Sequence, residues 1–293
     1  MVPEAPLAMA TGLSRGAVLR WAAQLIDRFD ARLLLQHVTG CSAADLLAYA
    51  ESPLSDEALG VFKTLVERRQ QGEPVAYLTG VAGFYGDLLH VTSAVLVPRP
   101  ETEELVSWSL DVIKSCPDPQ VADLGTGSGA IALALAGARP DARILAIDIS
   151  ADALDVATAN RDRLARDNVE VRCANWLEGI PEEPTFDLIV SNPPYIDAAD
   201  PHLAGDGVRF EPRLALTDGG DGLSAYAKIV VQAMLRLNPG GWLLVEHGHD
   251  QREPVAALWC AAGLANVQSR QDLSGNPRMT AGQKPKGLEA GRG

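Results

Sequence analysis

Four consecutive residues, Asn192-Pro193-Pro194-Tyr195, have the types and the order needed to hold a planar NH2 group. The asparagine side-chain oxygen and a proline carbonyl oxygen can each accept one of its two hydrogens, and the prolines hold these acceptors still because their φ angles are fixed. The tyrosine ring can cover the face of the plane. A flat amide or an exocyclic base amine would fit this arrangement, whereas a tetrahedral ammonium would not. By itself the tetrapeptide is equally compatible with a proline turn after a strand.

A second segment, residues 123–129 (Asp-Leu-Gly-Thr-Gly-Ser-Gly), lies between an apolar run and a helical pattern. Its three glycines permit a sharp turn that brings backbone N–H groups and a helix N-terminus close to a ligand. A nicotinamide dinucleotide site normally reads Gly-x-Gly-x-x-Gly, whereas here the glycines alternate and Asp123 comes first. This spacing favours S-adenosylmethionine, which has an amino-acid end and no phosphate. Together with the tetrapeptide, the loop predicts methyl transfer to a planar nitrogen.

Three side chains near this loop each have two interpretations. Asp123 can stabilise a positively charged cofactor, or it can only brace the loop. Asp148 follows the next predicted strand and can accept hydrogen bonds from ribose hydroxyls, or it can cap the helix that follows. Trp176 follows the third strand and can flank an adenine ring, or it can belong to the core.

The order of apolar segments predicts the fold that must position these residues. From Val121 onward, strand-like and helix-like patterns alternate, which is typical of right-handed βαβ units in a doubly wound, mostly parallel α/β sheet. The predicted strands are 121–124, 143–147, 169–171, 186–191 and 242–245, with closing strands near Val267 and at 278–280. Ligands bind such sheets at the carboxyl ends of the strands, where the glycine loop and the tetrapeptide both fall.

The segment before this sheet has a different pattern. From Ser14 to about Gln71 apolar residues recur at helical spacing, which predicts a small all-helical domain. The helix-start residues are Ser14, Asp30, Ser42 and Ser55. Residues 88–91 and 94–97 resemble the two strands of a hairpin. The predicted domains are 1–79 (helical, substrate docking), 80–98 (β-hairpin linker), 99–282 (methyltransferase) and 283–293 (a disordered tail).

The composition of the chain indicates how many domains it can form and which kinds of partner it can bind. With 293 residues and 47% hydrophobic content, the chain can bury cores in roughly two domains. It has neither the about 18 uninterrupted apolar residues of a membrane span nor the pattern of a secretory signal, so a cytoplasmic location is expected. A formal net charge of −13 argues against stable direct binding to nucleic acid. We expect a monomer.

No metal site is predicted. The four cysteines lie far apart, with no Cys-x-x-Cys pair. His247 and His249 have no third ligand at a useful spacing, so they are expected at the surface or as caps.

Three further segments indicate which protein family the chain resembles. They are Val97 to Glu103 (Val-Pro-Arg-Pro-Glu-Thr-Glu), Arg209-Phe210-Glu211-Pro212, and Leu244 to Gly248 (Leu-Val-Glu-His-Gly). With the tetrapeptide and the glycine loop, they make the chain closely resemble the bacterial release factor glutamine methyltransferases of the HemK/PrmC family. The resemblance runs from the helical region through Thr280. Adenine-N6 DNA methyltransferases share the tetrapeptide, but these three segments resemble the glutamine enzymes.

The resemblance implies a Rossmann-like class I methyltransferase that uses S-adenosylmethionine. Its substrate would be the side-chain amide nitrogen of the glutamine in the Gly-Gly-Gln motif of class I peptide chain release factors, and its N-terminal helices would help to dock that protein. Added to Asp123, the implied cofactor contacts are Gly125, Thr126, Gly127, Ser128, Gly129, Asp148, Trp176 and Asn192. The glutamine would be held by the catalytic residues Asn192, Pro193, Pro194 and Tyr195.

One position departs from the family. Asn175 precedes Trp176, where the family usually has an aspartate. An asparagine can still accept a hydrogen bond from the adenine amino group, but without a charge, so we expect a lower cofactor affinity.

Other functions share part of this pattern. A relative that methylates a glutamine of a ribosomal protein would have the same active-site motif, and N6-adenine methylation of DNA would need the same acceptor geometry. A non-catalytic cofactor-binding module would predict damage to the tetrapeptide or the glycine loop, and both are intact.

Overall fold

The computed structural model describes residues 12–286, which fall into two compact units. The units are Met1–Gly80 and Val81–Gly293. Among the residues that are described, no helix has both the length and the apolar character that a membrane crossing requires.

The first unit is all-helical, as the periodicity predicted. Its helices are α1 (Arg15–Ala22), α2 (Arg28–Thr39), α3 (Ala43–Ala48), α4 (Asp56–Gln70) and α5 (Val75–Thr79). Their apolar faces meet in one core, in which Val18, Leu34 and Phe62 are fully buried. Burial of this shared face holds together helices that are too short to be stable in isolation.

Most of the predicted helix starts are confirmed. Three predicted residues cap their helices through their side chains: Ser14, Ser42 and Ser55. The prediction for Asp30 is wrong, because α2 begins earlier and Asp27 caps it by accepting the Phe29 N–H at 2.7 Å. Asp30 lies inside the first turn and accepts a hydrogen bond from Arg69 of α4, also at 2.7 Å. Both acids suit this helix end, so the local pattern does not distinguish them.

The second unit begins with an antiparallel hairpin of β1 (Val81–Phe84) and β2 (Asp87–His90). The predicted strand at 94–97 is wrong, since those residues form no strand. The chain reverses earlier, at Tyr85 and Gly86, whose φ angles are +48° and +85°. Two left-handed residues in succession make the two-residue turn that suits a hairpin. The hairpin therefore belongs to the second unit, where the sequence predicted a separate linker over 80–98.

A seven-stranded sheet forms the centre of this unit. Its strands are β3 (Gln120–Leu124), β4 (Arg143–Asp148), β5 (Val169–Cys173), β6 (Phe186–Ser191), β7 (Leu237–Glu246), β8 (Ala265–Gln271) and β9 (Pro277–Gln283). The order is β5-β4-β3-β6-β7-β9-β8, and all neighbours are parallel except at β9, which is antiparallel to both of its partners. The predicted doubly wound, mostly parallel sheet is confirmed.

Helices cover both faces of this sheet. They are α6 (Thr102–Val112), α7 (Ala130–Ala138), α8 (Ala151–Arg163), the short α9 (Arg213–Leu216), α10 (Ser224–Arg236) and α11 (Arg252–Ala261), with short 3-10 helices at Pro201–Ala204 and Val208–Phe210. Alternate residues of each strand enter opposite cores. On β6, Leu188 and Val190 join the core under α6 and α7, while Ile189 joins the core under α10 and α11.

The predicted disordered tail starts too early. Gln283 is the last residue of β9, and the backbone N–H of Lys284 donates to the Gly241 carbonyl at 2.8 Å. The prediction is therefore wrong at its first residues. Positions 287–293 lie outside the part of the chain that the structure describes.

Candidate active site

A pocket opens at the carboxyl ends of β3, β4 and β6, where the strand order reverses between β3 and β6. Such a reversal leaves a crevice in an open α/β sheet, which is where ligands bind. The predicted residues that line the pocket are Gly125, Thr126, Gly127, Ser128, Asp148, Trp176, Asn192 and Pro194. The predicted residues that do not line it are Asp123, Gly129, Pro193 and Tyr195.

Asp123 lies buried beneath the glycine loop at the end of β3. Its Oδ2 accepts the Thr126 hydroxyl at 2.6 Å and the Ala132 N–H at 3.1 Å, which braces the loop on the start of α7. Its Oδ1 has no hydrogen-bond partner within residues 12–286. Burial raises the pKa of Asp123 to about 7, although the two hydrogen bonds oppose the shift. Oδ2 thus braces the loop, while Oδ1 is a buried oxygen that has no partner in the described part of the chain.

The glycine loop fits a ligand through its backbone. Gly127 has φ +55°, its N–H donates to Asp148 at 2.9 Å, and a Cβ placed on it would meet nothing within 4 Å. The space that a side chain at Gly127 would occupy is therefore open, and Gly127 lines the pocket. Gly129 has φ +84°, and a Cβ there would lie 2.9 Å from Leu133, so this glycine permits close packing of the turn on α7.

Asp148 holds the opposite side of this loop. Its Oδ2 accepts from Gly127 and its Oδ1 accepts the Ser150 N–H at 2.9 Å. The cap of α8 is Ser150, which accepts the Ala153 N–H at 3.2 Å, so the alternative interpretation of Asp148 as that cap is wrong. Burial raises the pKa of Asp148, while its backbone hydrogen bonds oppose the shift.

Trp176 lines the pocket beyond β5 and is only partly buried. Its φ is +55°, and its ring lies beside Gly125, where a Cβ would be 3.4 Å from the indole. The neighbouring Asn175 donates its Nδ2 to Glu178 at 2.9 Å. That bond leaves the Asn175 oxygen as the acceptor of this side chain.

The tetrapeptide begins directly after β6. Ser191 donates its hydroxyl to the Leu124 carbonyl at 2.7 Å, which ties the ends of β6 and β3 together. Asn192 then donates its Nδ2 to the Thr102 hydroxyl oxygen of α6 at 3.2 Å. Because the amide nitrogen is used in this way, the Asn192 side-chain oxygen remains as an acceptor at the pocket wall.

The tyrosine of the tetrapeptide points its hydroxyl inward. Tyr195 donates to Oε1 of Glu246 at 3.4 Å, and burial raises its pKa well above the ordinary value. Its carbonyl oxygen accepts Nε2 of Gln251 at 2.9 Å. Gln251 in turn accepts the Gly248 N–H at 2.9 Å, so the start of α11 fixes the end of the tetrapeptide.

Gly222 packs directly on this tyrosine. A Cβ on Gly222 would overlap the Tyr195 carbonyl oxygen, and its φ is +74°. Gly219 has a similar φ of +83° but open space around it. We expect Gly222→Ala to lower the free energy of unfolding by about 1 to 3 kcal/mol more than Gly219→Ala does. It should also lower the activity more than Gly219→Ala does. Equal losses in the two variants, measured by denaturant unfolding, would show that the Tyr195 contact has no effect.

An ion pair joins two segments that are 112 residues apart in the sequence. Arg99 pairs with Oε2 of Glu211, and the Val97 N–H donates to Oε1 of the same carboxylate at 3.1 Å. The Glu211 side chain is 1% exposed and the Arg99 side chain is 38% exposed. Two of the three further segments that carried the family resemblance therefore meet at one side of the pocket, which Arg99 and Pro212 both line.

Removal of the arginine from this pair should destabilise the fold. Arg99→Ala would leave the Glu211 carboxylate buried with only the Val97 N–H, so we expect the free energy of unfolding to fall by about 1 to 3 kcal/mol. Arg161→Ala is a matched control, because Arg161 pairs with the exposed Asp162 and should cost about 0.5 kcal/mol or less. Denaturant unfolding of both variants checks the difference, and equal values would contradict a structural role for the buried pair.

His247 is not at the surface, which corrects the expectation for this residue. It is fully buried, with Nε2 at 2.9 Å from the Thr280 hydroxyl and Nδ1 at 2.8 Å from the Gly248 carbonyl. Burial lowers its pKa, so it is held neutral. Across residues 12–286, no cluster of His, Cys, Asp and Glu side chains suits a metal ion.

Two polar residues of the site were missed in the sequence. Glu246 ends β7 and is almost fully buried, and its Oε2 accepts the Thr102 hydroxyl at 2.6 Å. Glu246 follows the apolar run 242–245 and ends its strand as Asp148 ends β4, so this signal was present. Thr102 gives no such signal, because only the packing of α6 brings it to Asn192.

The residues present fit S-adenosylmethionine. This ligand carries a sulfonium and an ammonium group, and the buried Asp123 offers an oxygen without a partner in the described chain. The open side of Gly127 can admit a ligand close to the backbone, and the ring of Trp176 offers a flat surface. A dinucleotide would need donors for two phosphates, whereas the acids Asp123 and Asp148 disfavour that charge.

Two family models match the chain. Residues 16–80 match the PrmC N-terminal domain, and residues 107–209 match the Methyltransferase small domain. Among solved structures, the hMettl16 catalytic domain has a TM-score of 0.53 and 17% identity, over 78% of this chain and 82% of that chain. This likeness concerns the fold alone.

Curated relatives match at much higher identity. The release factor glutamine methyltransferase of Xylella fastidiosa is 48% identical over 269 residues, which cover 92% of this chain and 98% of the relative. The enzyme of the same name from Escherichia coli is 42% identical over 269 residues, covering 92% of this chain and 96% of the relative. Since the similarity spans almost the whole of these relatives, the chain belongs to the release factor glutamine methyltransferase family.

Proposed function

We propose that this pocket transfers a methyl group from S-adenosylmethionine to the side-chain amide nitrogen of the glutamine in the Gly-Gly-Gln motif of class I peptide chain release factors. The observation that carries the proposal is the orientation of Asn192. Its nitrogen is bonded to Thr102, so its oxygen is left to accept a substrate NH2 beside the glycine loop. Relatives named for this activity, similar over nearly their full length, support the same substrate.

The cofactor is held by the loop and by the acids on either side of it. When bound, S-adenosylmethionine supplies a methyl group on a positively charged sulfonium, which becomes a neutral thioether when the methyl leaves. The free oxygen of Asp123 stabilises the positive end of this ligand. Asp148 accepts ribose hydroxyls and Trp176 flanks the adenine, as the positions of both residues on the pocket wall permit.

The protein activates the substrate nitrogen by positioning. An amide nitrogen is a poor nucleophile because its lone pair is delocalised into the carbonyl. Acceptance of its two hydrogens by Asn192 Oδ1 and the Pro193 carbonyl favours pyramidalisation and directs the lone pair into the pocket. The nitrogen gains a bond to the methyl carbon and loses one proton to water, so no general base is assigned. A partly desolvated pocket favours this step, because the positive charge that is concentrated on the sulfonium is spread toward the nitrogen in the transition state and then leaves with the proton.

Substrate choice beyond the tetrapeptide is assigned to the N-terminal unit. Its five helices are proposed to dock the release factor, and the whole protein is proposed to act as a cytoplasmic monomer. A glutamine of a ribosomal protein would use the same acceptors, so it is the main alternative substrate. DNA adenine would too, but the net charge of −13 opposes a phosphate backbone.

A labelling experiment tests the proposed substrate. The protein is incubated with methyl-labelled S-adenosylmethionine and, in separate reactions, with an intact release factor, its Gly-Gly-Ala variant, ribosomal proteins and DNA. We expect label on the intact release factor alone. Label on DNA, or equal label on the alanine variant, would contradict the proposal, and label on a ribosomal protein alone would select the main alternative.

A further inference from the structure

Glu246 is a buried acid with both oxygens directed at groups of the active site. It is 1% exposed and ends β7. Its Oε2 accepts the Thr102 hydroxyl at 2.6 Å, and its Oε1 accepts the Tyr195 hydroxyl at 3.4 Å. The Tyr226 hydroxyl donates to its backbone carbonyl at 3.1 Å. The proposed methyl transfer does not use this carboxylate directly. The free-energy cost of burying an acid here therefore indicates that Glu246 has another role.

The bond from Thr102 determines the orientation of Asn192. A threonine hydroxyl has one hydrogen, and here that hydrogen is donated to Glu246. The Thr102 oxygen can therefore only accept, so the side chain 3.2 Å away must present its NH2 group. Asn192 thus turns its nitrogen to Thr102 and its oxygen to the pocket.

This chain of hydrogen bonds has a direction that depends on the charge of Glu246. An ionised carboxylate can only accept, which fixes the Thr102 hydrogen and the Asn192 amide as described. A protonated Glu246 can instead donate to the Thr102 oxygen, which frees the Thr102 hydrogen for the Asn192 oxygen. The amide would then turn its NH2 to the pocket, where it would meet the NH2 of the substrate donor to donor.

The charged and titratable groups around Glu246 determine the pH at which its carboxyl group changes protonation state. Arg278 of β9 favours the ionised form, as do the bonds from Thr102 and Tyr195, whereas Glu101 before α6 disfavours it. The buried Tyr226 and His247 also lie close, and both are neutral near neutral pH. Burial outweighs the favourable contacts and raises the pKa of Glu246 to about 7.

We propose that Glu246 and Thr102 are positioning residues that hold the Asn192 side-chain oxygen toward the substrate NH2 through a directed hydrogen-bond chain. The inference rests on the proposed function for its substrate. The hydrogen bonds themselves involve only groups of this protein: a carboxylate, a hydroxyl and an amide, joined at 2.6 and 3.2 Å.

Kinetics of two Thr102 variants test this chain of hydrogen bonds. Thr102→Val keeps the shape but removes the hydroxyl, and we expect kcat to fall about tenfold with little change in KM for either substrate. Thr102→Ser restores the hydroxyl and should recover most of this loss. Equal kcat values for the valine and serine variants would overturn the proposal. Thermal unfolding of both identifies any loss that comes from folding.

The pH profile supplies the second kinetic readout. At saturating cofactor, kcat of the wild-type protein should rise with pH and level off above about pH 7, because the ionised form of Glu246 sets the productive orientation. The rise should disappear in Thr102→Val and in Glu246→Gln. A rise that persists unchanged in either variant would contradict the role of Glu246.

A measurement without substrate separates this inference from the proposed function. The side-chain NH2 signals of Asn192 in 15N NMR spectra are identified by their absence from Asn192→Ala. They should shift with pH in the wild-type chain and not in Thr102→Val. A failure of methyl transfer to the release factor would leave this result standing, whereas NH2 signals that do not respond to pH would overturn the hydrogen-bond chain even in an active enzyme.

Discussion

Asn192→Ala is expected to lower kcat at least about 100-fold, which is the usual cost of removing one preorganised hydrogen-bonding group from a transition-state site. Asn192 offers its side-chain oxygen at the pocket wall because its nitrogen is bonded to Thr102. Without this acceptor the substrate NH2 loses one of the two contacts that pyramidalise it. The Kd for S-adenosylmethionine should change far less than kcat. Single-turnover kinetics and calorimetric binding measure the two quantities separately.

Asn175→Ala is the matched control, since Asn175 also lines the pocket but bonds to Glu178 on the cofactor side. It should change cofactor affinity more than turnover, the reverse of Asn192→Ala. Near-normal turnover of a folded Asn192→Ala protein would remove the basis of the positioning mechanism.

Asp123→Asn is expected to weaken cofactor binding at neutral and higher pH by about tenfold or more, as expected for the loss of a charge-assisted contact. The Thr126 hydroxyl and the Ala132 N–H both need an acceptor at the inner position. The asparagine oxygen must therefore remain there, and its NH2 takes the place of the free oxygen. A donor then faces a positively charged ligand in place of a carboxylate. Titration calorimetry at several pH values measures this loss.

The pH dependence of the wild-type protein follows from the same carboxylate. Burial raises the pKa of Asp123 to about 7 in the free protein, so below that pH the group is largely protonated. A cationic ligand favours the ionised form and lowers this pKa, so binding releases a proton. Affinity should therefore rise about tenfold per pH unit up to about pH 7 and then level off.

Asp141→Asn is a control for Asp123→Asn, because Asp141 pairs with Arg139 away from the pocket wall. Its binding curve should follow that of the wild type. A steep pH dependence that survives in Asp123→Asn would contradict the assignment and point to Asp148, whose pKa burial also raises.

Local patterns predicted the parts of the site that are continuous in sequence. The alternating glycines of 125–129 and the leading Asp123 predicted a loop at the end of a strand, since few other residues permit positive φ angles at such spacing. The alternation of elements placed this loop and Asn192 at one edge of the sheet. Pro193 and Tyr195 are not among the residues that line the pocket, and the Tyr195 hydroxyl points to Glu246, so the predicted contacts of these two residues with the substrate stay a prediction.

Features that depend on tertiary contacts could not be predicted in this way. Thr102 reaches Asn192 across 90 residues and Glu246 across 144, and no local pattern encodes such pairs. The hairpin was misplaced because the apolar residues 94–97 resemble a strand. They form no strand, and Ala94, Val95 and Leu96 line the pocket instead. Burial beside a ligand and burial in a sheet give the same apolar signal.

The central claim is that the tetrapeptide presents a glutamine side-chain nitrogen for methylation. Its most direct test is fragmentation mass spectrometry of a release factor after reaction with trideuteromethyl-labelled S-adenosylmethionine. We predict one added trideuteromethyl group on the side chain of the Gly-Gly-Gln glutamine, present with the wild-type protein and strongly reduced with Asn192→Ala. A labelled group on any other residue, or on that glutamine at equal yield with both proteins, would contradict the claim.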